Sequence, residues 1–484
     1  MSSVPRDLSS VVTAYDVRGH VPGQLDATVA AALGAAFATT VVLPEVPNGE
    51  KPRVVVGYDM RRSGPGLADA YAAALTTAGI DVEIVGPCST DMLYHASGVA
   101  GVPGTMVTAS REALDLNGFK LCRAGARPVG QGSGLEELQA AAEGFLTGGP
   151  VPTADVAGDV TRRSTLTGYA TFLRGLVDVE HVRPLRVVVD AGHGMAGLTV
   201  PAVLGRAADL PRVPIKVLPL RLEHDGDPDR PVNDPSAEGG LAALCEEVVA
   251  EGADIGLAFD ADADRVIVVD ENGVPVSASA LTALIGLRLV ARESMERRAA
   301  TVIHDLVTSR VVPDLVSATG ATAVRTRVGH SYVKAEMAAH DAVFGGEHSA
   351  HYYFRDFFFA DTGMLAALHV LAALGSQPHP MSALAEMYEP YSADAIDLPM
   401  TPEQMTRARE RVVDAYVHQR GAGDVEVDEL DGLTVSHWAS MPQWWFNLRP
   451  ANTEPVLRFV VEAADEDMLT KVRDDVLTLL RAQD

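Results

Sequence analysis

The chain has 484 residues, 47% of them hydrophobic, and a formal charge of −26. That length suits several domains of roughly 100–150 residues, each with its own core. So acidic a chain repels nucleic acid and anionic membrane, and an anionic substrate would need a locally basic cleft.

Three scattered cysteines, Cys88, Cys122 and Cys245, show no metal spacing and no disulfide framework, which fits a reducing compartment. The opening MSSVPRDLSS has no basic region followed by an apolar run, so it does not read as a signal peptide. No apolar run reaches the ~20 residues of a membrane span. A cytoplasmic protein, with neither nucleic acid nor membrane as a partner, is expected.

The first stretch alternates strands and helices. Arg53–Tyr58 is a continuous Val run ended by glycine, the pattern of a buried parallel strand. An Ala-rich helix over 68–78 follows and Gly79 ends it. Strands are expected at 81–85 and 104–108, the second running into a polar turn at Ser110. The Gly-, Pro- and Thr-rich segment 147–157 reads as a linker. The pattern then restarts with a strand at Leu185–Asp190 and the turn AGHGMAG. A helix over 239–251 leads to a strand over 253–259, a loop at 260–265 and a strand at Val266–Asp270. A third cycle begins near Ser277, with strands at Thr301–Asp305, 322–327 and 342–346. The last ~90 residues differ: a proline-rich entry at 397–402, a helix over 403–418, a strand near 444–448 and a final strand–helix pair. The reading is three similar α/β domains (1–150, 151–274, 275–392) and a smaller C-terminal α+β domain (393–484).

Four polar clusters follow predicted strands, where α/β folds place reactive loops. Asp260, Asp262 and Asp264 stand at i, i+2 and i+4 between two apolar strands, which is costly without a cation. All-oxygen ligation favours Mg²⁺ over Zn²⁺. Arg265 follows and can hold a phosphate or a carboxylate. An EF-hand is excluded, because its glycine and distal glutamate are absent.

Ser110, just past a strand, and Lys120, in an Asn-Gly-Phe-Lys turn, read either as a nucleophile and its base or as a capping serine beside an unrelated lysine. Glu347, Ser349 and His351 alternate after a Gly-Gly turn and so can point the same way, with His348 opposed. They could grip sugar hydroxyls or form a satisfied structural turn. Arg449, Asn452, Thr453 and Arg458 form a polar loop closing on a strand, a phosphate cradle by composition.

Together these loops, in this order, resemble the α-D-phosphohexomutase superfamily, and within it the bacterial phosphomannomutase/phosphoglucomutase branch. The likeness covers essentially the whole chain. It opens at Ala14-Tyr15-Asp16-Val17-Arg18-Gly19, similar to the family's AYDIRG, and includes Val328-Gly329-His330, similar to its VGH turn. It implies four domains around a central cleft, each giving one loop. It also implies a mutase interconverting hexose 1-phosphate and hexose 6-phosphate, of mannose and/or glucose, through a phosphoserine and a 1,6-bisphosphate intermediate. On this chain, Ser110 becomes the phosphoryl carrier, with Mg²⁺ on Asp260, Asp262, Asp264 and a phosphoserine oxygen. Arg18, Lys120, His330 and Arg265 surround the transferring group. Tyr15, Glu347, Ser349 and His351 belong with the sugar. Arg449, Asn452, Thr453 and Arg458 hold the distant phosphate. The partners implied are small hexose phosphates, with a hexose 1,6-bisphosphate as activator, acting on a monomer or weak homodimer. His348 stands where phosphoglucosamine mutases carry glutamine.

The chain departs from this pattern at the serine. The family's TASHNP reads Thr108-Ala109-Ser110-Arg111-Glu112-Ala113. Arg111 could replace the histidine as a phosphate contact, while Glu112 would oppose a phosphoserine unless it turns outward. Ala261 stands for a usual glycine, which implies a stiffer metal turn, and Ala451 for a usual serine. The altered loop motivates an alternative, a catalytically weak phosphosugar-binding paralogue. A related transferase making a hexose bisphosphate is a third reading.

Overall fold

A computed structural model of the chain describes residues 7–47, 49–419, 425–451 and 455–482. In its first sheet, Arg53–Tyr58 lies between Asp81–Pro87 and Gly104–Val107, all parallel. Its Val-rich middle is buried, as an unbroken apolar run requires of a strand covered on both faces. Leu116–Arg123 returns antiparallel beside Gly104–Val107, and Val17–His20 closes that edge.

The second sheet repeats this plan. Ile215–Leu220, Leu185–Asp190 and Ile255–Phe259 are parallel, and Val266–Asp270 returns antiparallel. The third does so again, with Thr322–Thr326, Thr301–Asp305 and Phe344–Gly346 parallel and Tyr352–Phe354 antiparallel. In each sheet one loop joins a parallel strand to its antiparallel partner: 108–115, 260–265 and 347–351. The serine, acidic and sugar loops are therefore equivalent positions of a repeated unit. Each opens at the carboxyl end of a parallel strand.

The fourth sheet is wholly antiparallel, in the order Ser392–Pro399, Val456–Ala463, Trp444–Pro450, Leu433–Ser436, Glu426–Asp428. Helices Pro402–Val413 and Glu466–Arg481 pack with it and with each other. The architecture is thus three α/β units and a C-terminal α+β unit. One apolar core runs through the first three, joining Met92, Val187, Leu257 and Phe344. The fourth keeps a separate core around Phe446, Phe459 and Val476.

Four expectations need correction. Asn117–Lys120 is not a turn but part of strand Leu116–Arg123. The proline-rich entry at 397–402 is largely strand Ser392–Pro399, whose small polar residues hide its strand character at a sheet edge. The break expected after residue 150 falls before Val160–Arg162, which still belongs to the first sheet. These three residues bury no apolar face and pair with Val82–Ile84 in parallel register. Finally, Ala27–Glu45 forms a continuous apolar helical run of 19 residues, long enough by composition to span a membrane. It packs instead against helices Gly64–Thr77 and Leu135–Leu146.

Candidate active site

Ser110 is buried, with a left-handed backbone at φ 50°. Its Oγ donates to Asp260 Oδ2 at 3.2 Å, so the serine and acidic loops of two different sheets meet directly. Its N–H donates to Thr108 Oγ1 at 2.9 Å. A left-handed non-glycine residue persists only where the surroundings over-determine it. Here Arg61 does so. Its side chain is fully buried, and its guanidinium donates to the carbonyls of Ser110, Glu112, Ala113 and Leu116. Asp59 holds Arg61 at 3.0 Å and accepts from Thr108 Oγ1 at 2.7 Å.

Asp260, Asp262 and Asp264 are all buried, and each offers a carboxylate oxygen within 4.8 Å of the others. Their charges are only partly matched. Arg265 grips Asp260 Oδ2 through Nε and Nη2 at 2.9 and 2.8 Å. Lys120 Nζ bridges Asp262 Oδ2 at 2.7 Å and Asp264 Oδ2 at 2.6 Å. Burial disfavours the Lys120 ammonium, but the two carboxylates outweigh it and keep the group charged. Burial, with Asp264 and Asp262 nearby, raises Asp260 despite Arg265. Asp262 Oδ1 and Asp264 Oδ1 are buried with no hydrogen-bond partner among the described residues. Unpartnered hard oxygens converging in one loop fit a divalent cation such as Mg²⁺.

The left-handed residue of the acidic loop is Ala263, at φ 59°, rather than Ala261. A side chain at 261 therefore does not stiffen the turn as expected. A Cβ on Gly194 would lie 2.5 Å from Ala261 O. The Gly-rich turn thus lets Met195 N–H donate to that same carbonyl at 2.7 Å.

Arg18 sits in strand Val17–His20, paired with Asp16 Oδ2 through Nε and Nη2 at 2.9 and 2.8 Å. Its Nη1 meets Glu112 Oε1 at 3.2 Å. The Glu112 carboxylate, two residues from Ser110, is thus partly offset by a cation. Arg111, which could replace the family's histidine, reaches toward the second domain. It donates to Ser236 Oγ at 3.1 Å and lies 3.8 Å from Asp234, tying the serine loop to the second domain.

In the third domain, Ser349 Oγ links Glu347 Oε2 at 3.2 Å to His351 Nδ1 at 2.8 Å, so these three side chains share one side. The backbone N–H of His348 donates to Asp305 Oδ2 at 3.1 Å. His351 Nε2 is 3.9 Å from Asp264 Oδ1, and Arg265 and His351 form a backbone bridge between the acidic and sugar loops. Burial, then Asp305, raises Glu347, while Tyr353 hydroxyl donates to it. His330 begins helix His330–Ala339. Its ring lies 5.1 Å from that of Tyr15. Burial, then Lys334, pushes it down to about 3, so it is neutral. A Cβ at Gly329 would come within 2.7 Å of the Tyr15 hydroxyl, and φ of 133° there also favours glycine.

Arg449 and Arg458 line a 230 Å³ cavity with His348, Ser349, Asp305 and Asn447, so the 347–351 loop and the C-terminal arginines share one space. Asn452 and Thr453 lie outside the described residues.

Family models for phosphoglucomutase/phosphomannomutase match the whole arrangement: α/β/α domain I at residues 10–143, II at 167–273, III at 278–391 and the C-terminal domain at 400–479. The chain belongs to the phosphoglucomutase/phosphomannomutase family. It is a mutase, an enzyme of the isomerase class. A phosphomannomutase of Salmonella typhimurium is 33% identical over 478 residues, covering 97% of this chain and 98% of the relative. One from Vibrio cholerae is 31% identical, covering 96% and 97%. The crystal structure of a phosphoglucomutase/phosphomannomutase family protein from Burkholderia thailandensis superposes with a TM-score of 0.82 at 27% identity, covering 98% of this chain and 97% of that one.

Within this family frame, sequence reasoning missed Arg61 and the segment Ser89-Thr90-Asp91. The Asp59-Met60-Arg61 run follows a buried strand, the same signal that marked the other loops, and could have flagged Arg61. Thr90 and Asp91 open an ordinary-looking helix, Thr90–Ala100. Nothing in their spacing marks them.

Proposed function

We propose that the chain interconverts hexose 1-phosphate and hexose 6-phosphate, of mannose and/or glucose, by way of a phosphoryl group carried on Ser110. The observation that carries this reading is Ser110 Oγ on Asp260, at the edge of a buried carboxylate triad with two oxygens that have no hydrogen-bond partner among the described residues. A hydroxyl there serves as a carrier when cations surround the group it carries, since phosphoryl transfer depends on positioning and charge neutralisation. Lys120, Arg265 and Arg18 supply such cations. A Mg²⁺ held by Asp260, Asp262 and Asp264 would add charge neutralisation at the same place.

In the forward step the P–O bond to Ser110 breaks and one forms to the sugar hydroxyl. The hydroxyl proton passes to Ser110 Oγ. His330, neutral and with Nδ1 unpartnered among the described residues, is able to accept a hydrogen bond from that hydroxyl. Glu347, Ser349 and His351 meet the ring hydroxyls, Tyr15 flanks them, and Arg449 and Arg458 hold the other phosphate. The bisphosphate then returns that second phosphate to Ser110, and a hexose 1,6-bisphosphate primes the enzyme.

The Arg18–Glu112 pair supports an active mutase over a binding paralogue, because it partly offsets the charge of Glu112 beside the serine. A coupled assay on mannose 1-phosphate and glucose 1-phosphate, with glucose 1,6-bisphosphate and Mg²⁺, tests the reading. Turnover of either sugar is expected, and loss of turnover is expected in Ser110→Ala. A folded wild-type chain that turns over neither sugar overturns the reading.

A further inference from the structure

We propose that Thr90 is a positioning residue for the cation site, fixing which oxygen Asp262 offers to the metal; this rests on the reading of the triad as a metal site. Thr90 Oγ1 donates to Asp262 Oδ2 at 2.6 Å, with both residues fully buried. Lys120 Nζ contacts the same Oδ2. Asp262 Oδ1 has no partner among the described residues. The carboxylate is thus divided into one occupied oxygen and one with no hydrogen bond among the described residues, inside a loop where Asp264 Oδ1 also accepts none among them.

The two donors on Oδ2 are not equivalent. Lys120 is a cation, and a divalent ion entering the triad repels it. The Thr90 hydroxyl is a neutral dipole and suffers no such repulsion. When the metal is bound, Thr90 is the donor that keeps Oδ2 turned away and Oδ1 turned in. Partners that orient a metal ligand act in this way, and their loss typically weakens metal affinity 10–100-fold.

Thr90 is itself held in place on three sides. Its N–H donates to the Asp262 carbonyl at 2.9 Å, so backbone and side chain grip the same residue. Ser89 caps the helix that Thr90 opens. The neighbouring Asp91, fully buried, accepts from Tyr169 hydroxyl at 2.6 Å and Thr362 Oγ1 at 2.7 Å. Tyr169 belongs to the helix Leu166–Leu176 of the second domain and Thr362 caps Gly363–Gly375 of the third. Three domains therefore converge on the segment that steers one ligand, and a β-branched side chain adds few rotamers for it to escape into.

The test is Mn²⁺ binding to the full-length, unphosphorylated protein, followed by the EPR signal of free Mn²⁺. Wild type should bind one ion, and Asp262→Asn should lose it. Thr90→Val, close in shape but without the donor, should bind at least tenfold more weakly. Thr90→Ser should stay within about threefold of wild type, because it restores the hydroxyl. Thr90→Ala, also lacking the donor, should match Thr90→Val if the valine variant folds poorly. If wild type and Asp262→Asn behave as expected while the folded donor-less variants bind like wild type, the role of Thr90 is overturned and the metal site stands. If wild type binds no Mn²⁺, or Asp262→Asn binds as well as wild type, the metal reading itself falls, and Thr90 with it.

Discussion

Arg449 and Arg458 face each other in register across the antiparallel strands Trp444–Pro450 and Val456–Ala463. Like charges directly opposite on a sheet repel. The nearest carboxylates among the described residues give little relief: Asp431 lies 3.6 Å from Arg449 and Asp397 3.9 Å from Arg458. The Nε atoms of both arginines lack hydrogen-bond partners among the described residues. An arginine pair so arranged is suited to a bound dianion. Arg458→Ala should weaken binding of every hexose phosphate alike. A charge-assisted contact of about 1.5–3 kcal/mol corresponds to roughly ten- to a hundred-fold. Isothermal titration with mannose and glucose phosphates checks it. A loss confined to one sugar would show the arginine reading hydroxyls instead.

The clamp beneath Ser110 makes a different prediction. Among the described residues Arg61 is the only cation paired with buried Asp59, and it also holds four carbonyls of the serine loop. Arg61→Met leaves Asp59 uncompensated, and breaking one partner of a buried pair costs about 3–5 kcal/mol. Arg61→Lys keeps a charge but not the planar fork. In the lysine variant, labelling of Ser110 by a hexose bisphosphate should slow more than sugar-phosphate binding weakens, because the loop shifts while the cradle does not. Urea unfolding and rapid-quench labelling measure the two effects. Equal losses in labelling and binding would remove the clamp from the phosphoryl step.

The parts of this molecule that could be read in sequence share one property: they are local. Asp260, Asp262 and Asp264 announce themselves because three charges crowd a short loop between apolar strands. The threefold repetition is legible for the same reason, since each unit recurs as a Val-rich run ending in a polar loop. Arg61 and Thr90 act at a distance instead. Arg61 meets Ser110 across 49 positions and Thr90 meets Asp262 across 172, and no periodicity records such a pairing. Glu112 shows the same limit. Its neighbour in sequence is Ser110, but its partner in space is Arg18, 94 positions away. Strand Val160–Arg162 is exposed along its whole length, and Ser392–Pro399 offers only Ile396 and Leu398 to the core, so neither carries a strong apolar alternation.

Acid should loosen the fold through its buried imidazoles. His369 lies inside the apolar helix Gly363–Gly375, stacked on Phe354 at 5.3 Å. Burial, then Arg288 and Arg292, lowers it to about 3 from an ordinary 6.5. Its folded value is depressed, so the unfolded chain binds more protons between these limits. Stability associated with His369 is therefore full above pH 6.5 and is lost as pH falls toward 3. By pH 5 the loss from this one group is on the order of 2 kcal/mol. His369→Gln, neutral throughout, should flatten the fall in urea midpoint between pH 7 and 5 relative to wild type. An unchanged slope would place the acid sensitivity elsewhere.

The last prediction concerns the altered serine loop. Glu112 is engaged by Arg18 at 3.2 Å while Arg18 is also held by Asp16. A phosphoryl group on Ser110 would compete with Glu112 for that guanidinium. The pair is partly solvent-exposed, with the two side chains 26% and 41% accessible, so the competition is weak and exchange is easy. Incubation with a hexose bisphosphate should therefore label native Ser110 and raise the mass by one phosphoryl unit. Glu112→Gln should raise the labelled fraction, since Arg18 is then free for the phosphate. Replacing Arg111→His, Glu112→Asn and Ala113→Pro together should leave turnover similar or higher. That triple change also removes the contact of Arg111 with Ser236, so a fall in turnover alongside intact labelling would show that anchoring the loop to the second domain matters more than relieving the charge. If native Ser110 is never labelled and only the triple variant gains activity, the native chain binds phosphosugars without turning them over.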